Sequence, residues 1–566
     1  MIETLAPGVR KYAQKFDTLK EVNPRVALTT FFVLGLALRL FFLKYRFAVS
    51  FDEVNYLKLG VSGHLHGLSD VLHTYWSPLL PAFISFMCNF FEDYELAARL
   101  VSVLAGALLP VPVFFLTAKI YDRRAAVLAA GFVALFPPLA FQSTLVLTEP
   151  LVMCFGTLAV LFGLLMLQQY AIGYALLAGF AAGLAYLGHP MAFGFLVVLT
   201  VWLLLGSFSK LFLINKLRLV YLLAALAIGF MVVASPYLFY LKQATGSWTI
   251  SAKGSANQQM ETPLKGEGSS FRSLDSTNET VPIDRVFHQG TFLNAAEGGA
   301  KPVRQVRLKP FLTKYVKNFA NMLQHAIPTV LTLLPALLLG IGLLAGGWQV
   351  QRGKQILFLS SFLVFYWLIL IPAFHINLRY LTPMLPLSAV FVGAGAVYVY
   401  DQLRNYMPLT KFAARRKMKA SSLAAALCVF VFLALLVLPE FGRVISRKKV
   451  TTEYVADPVE QKVAGLWLLE NTSVKPIIMS RNHAVDFYAG NYNITQSVTI
   501  PTNSYERVLA YARHRNVTHI ELNERYLKDY PALGFLLEGN GSNDDLQQIY
   551  RFVDEAGFVT VIYKLL

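Results

Sequence analysis

The chain has 566 residues, of which 56% are hydrophobic and only 15% charged, with 43 phenylalanines and 27 tyrosines. A soluble protein carries roughly 25% charge, so these residues cannot clothe a soluble surface of this size, and the aromatic content excludes disorder. The apolar runs are long, as in a polytopic α-helical membrane protein rather than an outer-membrane barrel. The formal net charge of +17 reads as Lys and Arg in cytoplasmic loops, not as nucleic-acid binding, because basic patches with interleaved aromatics do not occur.

Residues 1–25 form a basic amphipathic lead, with Arg10, Lys11, Lys15, Lys20 and Arg25, and lack the form of a cleavable signal. A span needs about 20 apolar residues. About eleven spans are predicted, near 26–44, 95–118, 125–141, 150–168, 172–188, 190–206, 220–240, 325–348, 356–373, 381–400 and 422–440. One set of short loops is basic: Lys119, Arg123 and Arg124; Lys210, Lys216 and Arg218; Arg352 and Lys354; Arg404, Lys411, Arg415, Arg416, Lys417 and Lys419. The intervening short loops carry Arg379 alone. This bias places the basic loops and the N-terminus in the cytoplasm, and an odd span number puts the C-terminal tail outside.

Two large external pieces, 45–94 and 241–324, interrupt the membrane module of 26–440. In the first, the apolar stretch from Pro78 to Phe91 is short for a crossing and reads as a helix lying in the outer interface. The second is polar and reads as an external loop. The tail 441–566 alternates strands at Lys475-Pro-Ile-Ile-Met, Thr518-His-Ile-Glu-Leu and Phe558-Val-Thr-Val-Ile-Tyr with a helix from Tyr505 to Arg515. This pattern is that of a small extracytoplasmic α/β domain. No Gly-rich phosphate fingerprint follows its strands. The three cysteines, Cys88, Cys154 and Cys428, sit in apolar stretches and read as small buried hydrophobes.

Ionisable groups beside apolar spans are costly and default to functional hypotheses. Asp52 and Glu53 stand just outside the first span. They suit a helix cap, a general base toward a hydroxyl, or a divalent cation. Glu149, before Pro150 at the mouth of the fourth span, is either a capping acid or a second carboxylate on the same outer cavity. Arg379 suits bidentate phosphate recognition with help from Tyr380, or is an interfacial Arg beside a belt Tyr. His189, in a tight external turn, reads as structural or as a phosphate or sugar contact. His73, Tyr75 and Trp76 form a sugar-stacking or interfacial aromatic group. Arg99 is placed to pair with Glu95 four residues earlier. No metal-ligand spacing such as HxxxH accompanies the acids, so no cofactor is called for beyond a divalent metal that their chemistry would accept.

In order, the chain presents the Asp52-Glu53 pair, Trp76-Ser-Pro-Leu-Leu-Pro-Ala-Phe, Glu95-Leu-Ala-Ala-Arg99, Leu147-Thr-Glu149-Pro, Gly183-Leu-Ala-Tyr-Leu-Gly-His189-Pro190 and Arg379-Tyr380-Leu-Thr-Pro-Met-Leu-Pro386. This set resembles the GT-C glycosyltransferases of the dolichyl-phosphate-mannose protein mannosyltransferase type, whose bacterial relatives include the lipid A aminoarabinose transferase. The resemblance covers about residues 20–400. It implies a many-helix membrane fold with an outer active site and a polyprenyl-phosphate sugar donor. It implies that Asp52 is the catalytic base or acceptor-orienting acid with Glu53 as companion, Glu149 the second acid, and Arg379 and Tyr380 the donor-phosphate contacts. Where the family often carries Thr-Arg-Pro-Glu, this chain reads Gly-His189-Pro190-Met. Where it carries His or Lys before paired prolines, this chain reads Trp76-Ser77-Pro78, leaving His73 or Lys58 as substitutes.

The reading is an integral membrane glycosyltransferase of the prokaryotic cytoplasmic membrane. It would move a sugar from the lipid carrier to an extracytoplasmic lipid, glycan or protein. The alternatives are a transporter or flippase, which would show internal repeats and charges at the bilayer midplane, and a non-catalytic scaffold for which Asp52 and Glu149 are dispensable.

Overall fold

A computed structural model of the chain describes residues 23–49, 51–208, 215–253, 308–344, 350–373, 378–406, 434–435, 438–442, 457–494, 497–500, 504–539, 543–555 and 557–566. Most of the N-terminal lead, of the second external loop and of the expected span at 422–440 lies outside these residues.

The helices in chain order are α1 (Pro24–Leu43), α2 (Phe51–His66), α3 (Leu79–Met87), α4 (Tyr94–Leu108), α5 (Pro110–Ile120), α6 (Arg123–Leu135), α7 (Pro137–Gln142), α8 (Glu149–Gln169), α9 (Ile172–Gly188), α10 (Phe193–Phe208) and α11 (Lys216–Thr245). They continue with α12 (Leu308–Asn321), α13 (Ile327–Leu331), α14 (Leu333–Leu344), α15 (Val350–Leu363) and α16 (Leu385–Tyr406). Several starts are written in local sequence. Asn23, Asp93, Asp122 and Asn215 each accept a backbone N–H as N-cap, satisfying a donor that the first helical turn leaves orphaned.

Among the described residues, six helices are long and apolar enough to cross a membrane, or seven if one bent pair counts as a span. Among the described residues the expected spans therefore do not all appear as single long helices. The span predicted at 125–141 is two helices, α6 and α7. Phe136 takes an extended backbone (ψ 112°), as the steric demand of the following Pro137 favours. The span at 325–348 bends by 102° at Thr332, which sits at φ 61°. Ile172–Gly188 and Pro190–Gly206 are apolar but shorter. The stretch expected to lie in the outer interface forms the nine-residue α3, far too short to span. The amphipathic α12, with Phe311, Tyr315 and Phe319 at helical spacing, occupies a stretch expected to be loop.

Glycines let helix backbones touch. A Cβ on Gly395 of α16 would lie 2.0 Å from the Leu338 carbonyl oxygen of α14, and one on Gly342 would lie 1.9 Å from that of Phe391. Gly179 and Gly229 make the same reciprocal approach between α9 and α11, at 2.0 and 2.2 Å from the Leu226 and Leu176 oxygens.

At one end of the bundle, Arg124 is salt-bridged to Asp401 at 2.8 Å, Arg352 lies over the Tyr121 ring, and the Tyr121 hydroxyl donates to the Gly342 carbonyl. Asp52, Glu149, His189 and Arg379 gather at the opposite end.

The tail is an α/β domain. Strands β1 (Ile478–Ser480), β2 (Val498–Thr499), β3 (His519–Asn523), β4 (Leu546–Val553) and β5 (Val559–Leu565) form one sheet in the order β2-β1-β3-β5-β4. The first three are parallel, and β5 is antiparallel to both β3 and β4. Helices α17 (Val459–Asn471) and α18 (Ala484–Tyr488) cover one side through Ala464, Leu468 and Val485. Helix α19 (Tyr505–His514) packs Val508, Leu509 and Ala512 against Ile520, Leu522 and Val561. The three strands expected from sequence are present. The unexpected β2 is two residues long, and β4 carries polar residues on its open face.

Candidate active site

The site is assembled from four chain segments that meet at the end of the bundle opposite Arg124 and Asp401. Asp52 lies in the first turn of α2. Glu149 is the first residue of α8, with Thr148 at the N-cap and Pro150 following. His189 caps the turn that closes α9, its Nδ1 accepting the Met191 N–H at 3.2 Å. Arg379 sits in the short helix Leu378–Leu381 that leads into α16.

These residues meet around one guanidinium. Arg379 donates through Nη2 to Asp52 Oδ2 in a short ion pair. Its Nε lies 3.4 Å from Glu149 Oε1. The Arg379 side chain is 15% exposed, Asp52 30% and Glu149 8%. Tyr380 stands beside the same cation, with its hydroxyl 3.5 Å from Nη2. The His189 and Tyr380 rings are 5.8 Å apart. A narrow cleft is lined by Thr148, Glu149, His189, Tyr366, Tyr380 and Pro383. Within it, Glu149 Oε2 and His189 Nε2 are buried without a hydrogen-bond partner among the described residues. Buried polar atoms without partners cost free energy, and two of them aimed at one cleft are free to receive a polar ligand.

Burial alone would raise the Asp52 carboxyl. Arg379, then Lys253, outweigh it and hold the group below its ordinary range. Asp52 is therefore a carboxylate at neutral pH. Burial pushes His189 well down, and Lys253 and Arg379 push it further, so its ring is neutral.

Lys253 is a site residue that the sequence reading missed. It follows the end of α11, lies over the Tyr75 and Trp76 rings at 4.7 and 5.3 Å, and acts electrostatically on both Asp52 and His189. The available signal was a lone Lys after Trp248, just past an external helix end. Reading the whole of 241–324 as loop hid it.

Four candidates have other places. Glu53 turns away from its neighbour Asp52, as adjacent helical residues do. Its Oε1 accepts the Val146 N–H at 2.8 Å and lies 3.5 Å from Arg99. Arg99 also binds Glu95 at 2.8 Å, as its spacing predicted, and donates to the Thr144 and Ala48 carbonyls. Glu53 is thus a buried anchor rather than a companion acid in the cleft. Lys58 does not reach the cleft either. It is fully buried, 3.6 Å from Asp486 of the tail domain and bonded to Ser497. His73 is held at about 4 by burial. Its Nδ1 accepts the Tyr75 and Trp76 N–H groups, so it shapes the aromatic turn instead of facing a ligand. Trp76 is 2% exposed, packed edge-on against Tyr56 and Tyr75, with Lys253 over its ring. Among the described residues, no three His, Cys, Asp or Glu side chains come together as a metal site.

Residues 75–240 match the sequence profile of the family described as dolichyl-phosphate-mannose-protein mannosyltransferase. No curated protein sequence matches the chain. Among solved structures, the fold is similar to the oligosaccharyltransferase AglB from Archaeoglobus fulgidus in complex with an inhibitory peptide and a dolichol-phosphate. That likeness has 14% identity and a TM-score of 0.54, and covers 89% of this chain and 69% of that one. ArnT from Cupriavidus metallidurans bound to undecaprenyl phosphate is similar at 14% identity and a TM-score of 0.53, covering 95% of this chain and 98% of that one. ArnT in the apo state gives 13% and 0.51, covering 94% and 97%. The chain thus has the polytopic fold of these GT-C membrane enzymes, with a small α/β tail. The profile spans Trp76, Arg99, Glu149 and His189 but neither Asp52 nor Arg379, so the outer two motifs of the resemblance rest on the fold.

Proposed function

We propose that this protein is an integral membrane glycosyltransferase that moves a sugar from a polyprenyl-phosphate carrier to a hydroxyl acceptor at the outer membrane face. The observation that carries this reading is the convergence of Asp52 and Glu149 on Arg379 at the end of the bundle remote from the basic loops. The lipid-phosphate ligands of AglB and ArnT support the class of donor.

The donor phosphate enters beside Arg379 and Lys253, where two cations stabilise charge as the sugar C1–O bond breaks. Arg379 is already engaged by two carboxylates, so an incoming phosphate competes for it. As the guanidinium turns to the phosphate, Asp52 loses its counter-charge and becomes a better base. It takes the acceptor proton while the acceptor oxygen bonds to C1 and the polyprenyl phosphate departs. One base and direct displacement give inversion at C1. Glu149 and neutral His189, each with an unpartnered atom in the cleft, are placed to receive sugar hydroxyls. In this reading the basic end of the bundle faces the cytoplasm, as the positive-inside rule supports, with the site and the tail domain outside; the resemblance supports a prokaryotic cytoplasmic membrane.

The test is transfer by purified full-length protein in lipid, offered a panel of undecaprenyl- and dolichyl-phosphate sugars, beside Asp52→Asn. Consumption of one donor by the wild type and its loss in the variant is expected. Equal consumption by both overturns Asp52 as base and moves the role to Glu149.

A further inference from the structure

The tail domain grips the chain immediately before Asp52. Phe47 and Val49 lie in the segment joining α1 to α2, and Phe51 is the first residue of α2. All three N–H groups donate to tail-domain side chains. Phe47 donates to Asp457 Oδ2 at 2.8 Å, Val49 to the Tyr488 hydroxyl at 3.0 Å, and Phe51 to Asn482 Oδ1 at 3.2 Å. The tail therefore supplies a side-chain acceptor to each of these three N–H groups.

The grip is built on both sides. Arg46 pairs with Asp457 at 3.1 Å. The Tyr488 hydroxyl, besides accepting from Val49, donates to Glu95 Oε2 at 2.8 Å, and Lys462 reaches the same oxygen. Asn482 is 2% exposed and is fixed by donation to the Tyr526 hydroxyl at 3.1 Å. The Tyr526 ring packs edge-on against Phe51. Two turns further along α2, the buried Lys58–Asp486 pair ties the helix to the tail again. Phe51 sits at φ 33°, a left-handed conformation that a residue with a Cβ adopts only when its surroundings hold it there. Asp52 is the next residue.

We propose that the C-terminal domain is a clamp that fixes the start of α2 and thereby aims Asp52 at Arg379, with Asn482, Tyr488 and Asp457 as positioning residues. Resting on the reading of Asp52 as base, this makes the tail a working part of the site rather than a cover over it. A misplacement of about 1 Å at a reacting group costs roughly a hundredfold in rate, so loss of one clamp bond is felt in turnover.

Hydrogen–deuterium exchange on the full-length protein in lipid tests it, comparing wild type with Asn482→Ala, Asn482→Asp and Tyr488→Phe. In the alanine variant, the peptide from Arg46 to Val54 is expected to exchange faster while α8 stays protected. Turnover falls about ten- to a hundredfold with the donor KM within about twofold. Asn482→Asp, which keeps an acceptor oxygen, restores most of the turnover, as a merely structural loss would not allow. Tyr488→Phe removes one hydroxyl and repeats the effect if the alanine variant fails to fold. Unchanged exchange in the segment overturns the clamp. Faster exchange with unchanged turnover overturns its role in aiming Asp52. Faster exchange in a wild-type background that consumes no donor keeps the clamp and removes the transferase reading instead.

Discussion

Replacing Arg379 with Gln removes the guanidinium that lies against both Asp52 and Glu149. A hydrogen bond to a charged group is worth about 1.5–3 kcal/mol. The Asp52 side chain is 30% exposed, so screening reduces its share to about 1–2 kcal/mol. Losing that interaction raises the carboxyl, and the burial that Arg379 offset then acts in the same direction. In the wild type Asp52 titrates below its ordinary 3.8. It is ionised above that pH and lost as base only as pH falls through the depressed value. The acid limb of kcat/KM, which reports the free enzyme, is therefore absent down to the ordinary carboxylate range in the wild type and moves to higher pH in Arg379→Gln. The donor phosphate also loses a stabilising cation, lowering kcat/KM about 10²- to 10³-fold. Arg379→Lys keeps a point charge but not the two-sided fork, so its limb stays near wild type while its rate is intermediate. The assay is donor consumption across pH with each variant in lipid. A wild-type limb near pH 6, or one that Arg379→Gln leaves in place, refutes the pairing as the control on Asp52.

Gly395→Val places side-chain atoms where the Leu338 carbonyl oxygen lies 2.0 Å from a Cβ, so α14 and α16 must part; folded yield in detergent is expected to fall sharply, while a Val at Gly340, where no atom lies within 4 Å, is tolerated. Glu521 of β3 is fully buried and pushed up to about 8, by burial first, so the native tail holds a proton that the unfolded chain releases above 4.5. Native stability thus declines as pH rises from 4.5 to 8, and Glu521→Gln should stabilise by about 3–5 kcal/mol at pH 8 and by nothing near pH 4.5; thermal melts of the full-length protein that show no pH-dependent gain refute the buried proton.

Membrane class, the α/β tail and its three main strands, the Glu95–Arg99 pair and the choice of Asp52, Glu149 and Arg379 as candidates were all legible in the sequence. Each follows from local facts: apolar run length, alternation, four-residue spacing, and charge where charge is costly. Only the tertiary structure decided which charges share a site. Asp52 and Glu53 are adjacent in sequence yet face different ways, because α2 turns about 100° per residue and buries one against Arg99. Lys58 is on the same helix yet pairs with the tail, and Lys253, in a stretch without pattern, acts on Asp52 and His189. Arg379 joins Asp52 and Glu149 across hundreds of residues of chain. No periodicity records such a meeting, since it is fixed by how helices pack and where their ends fall.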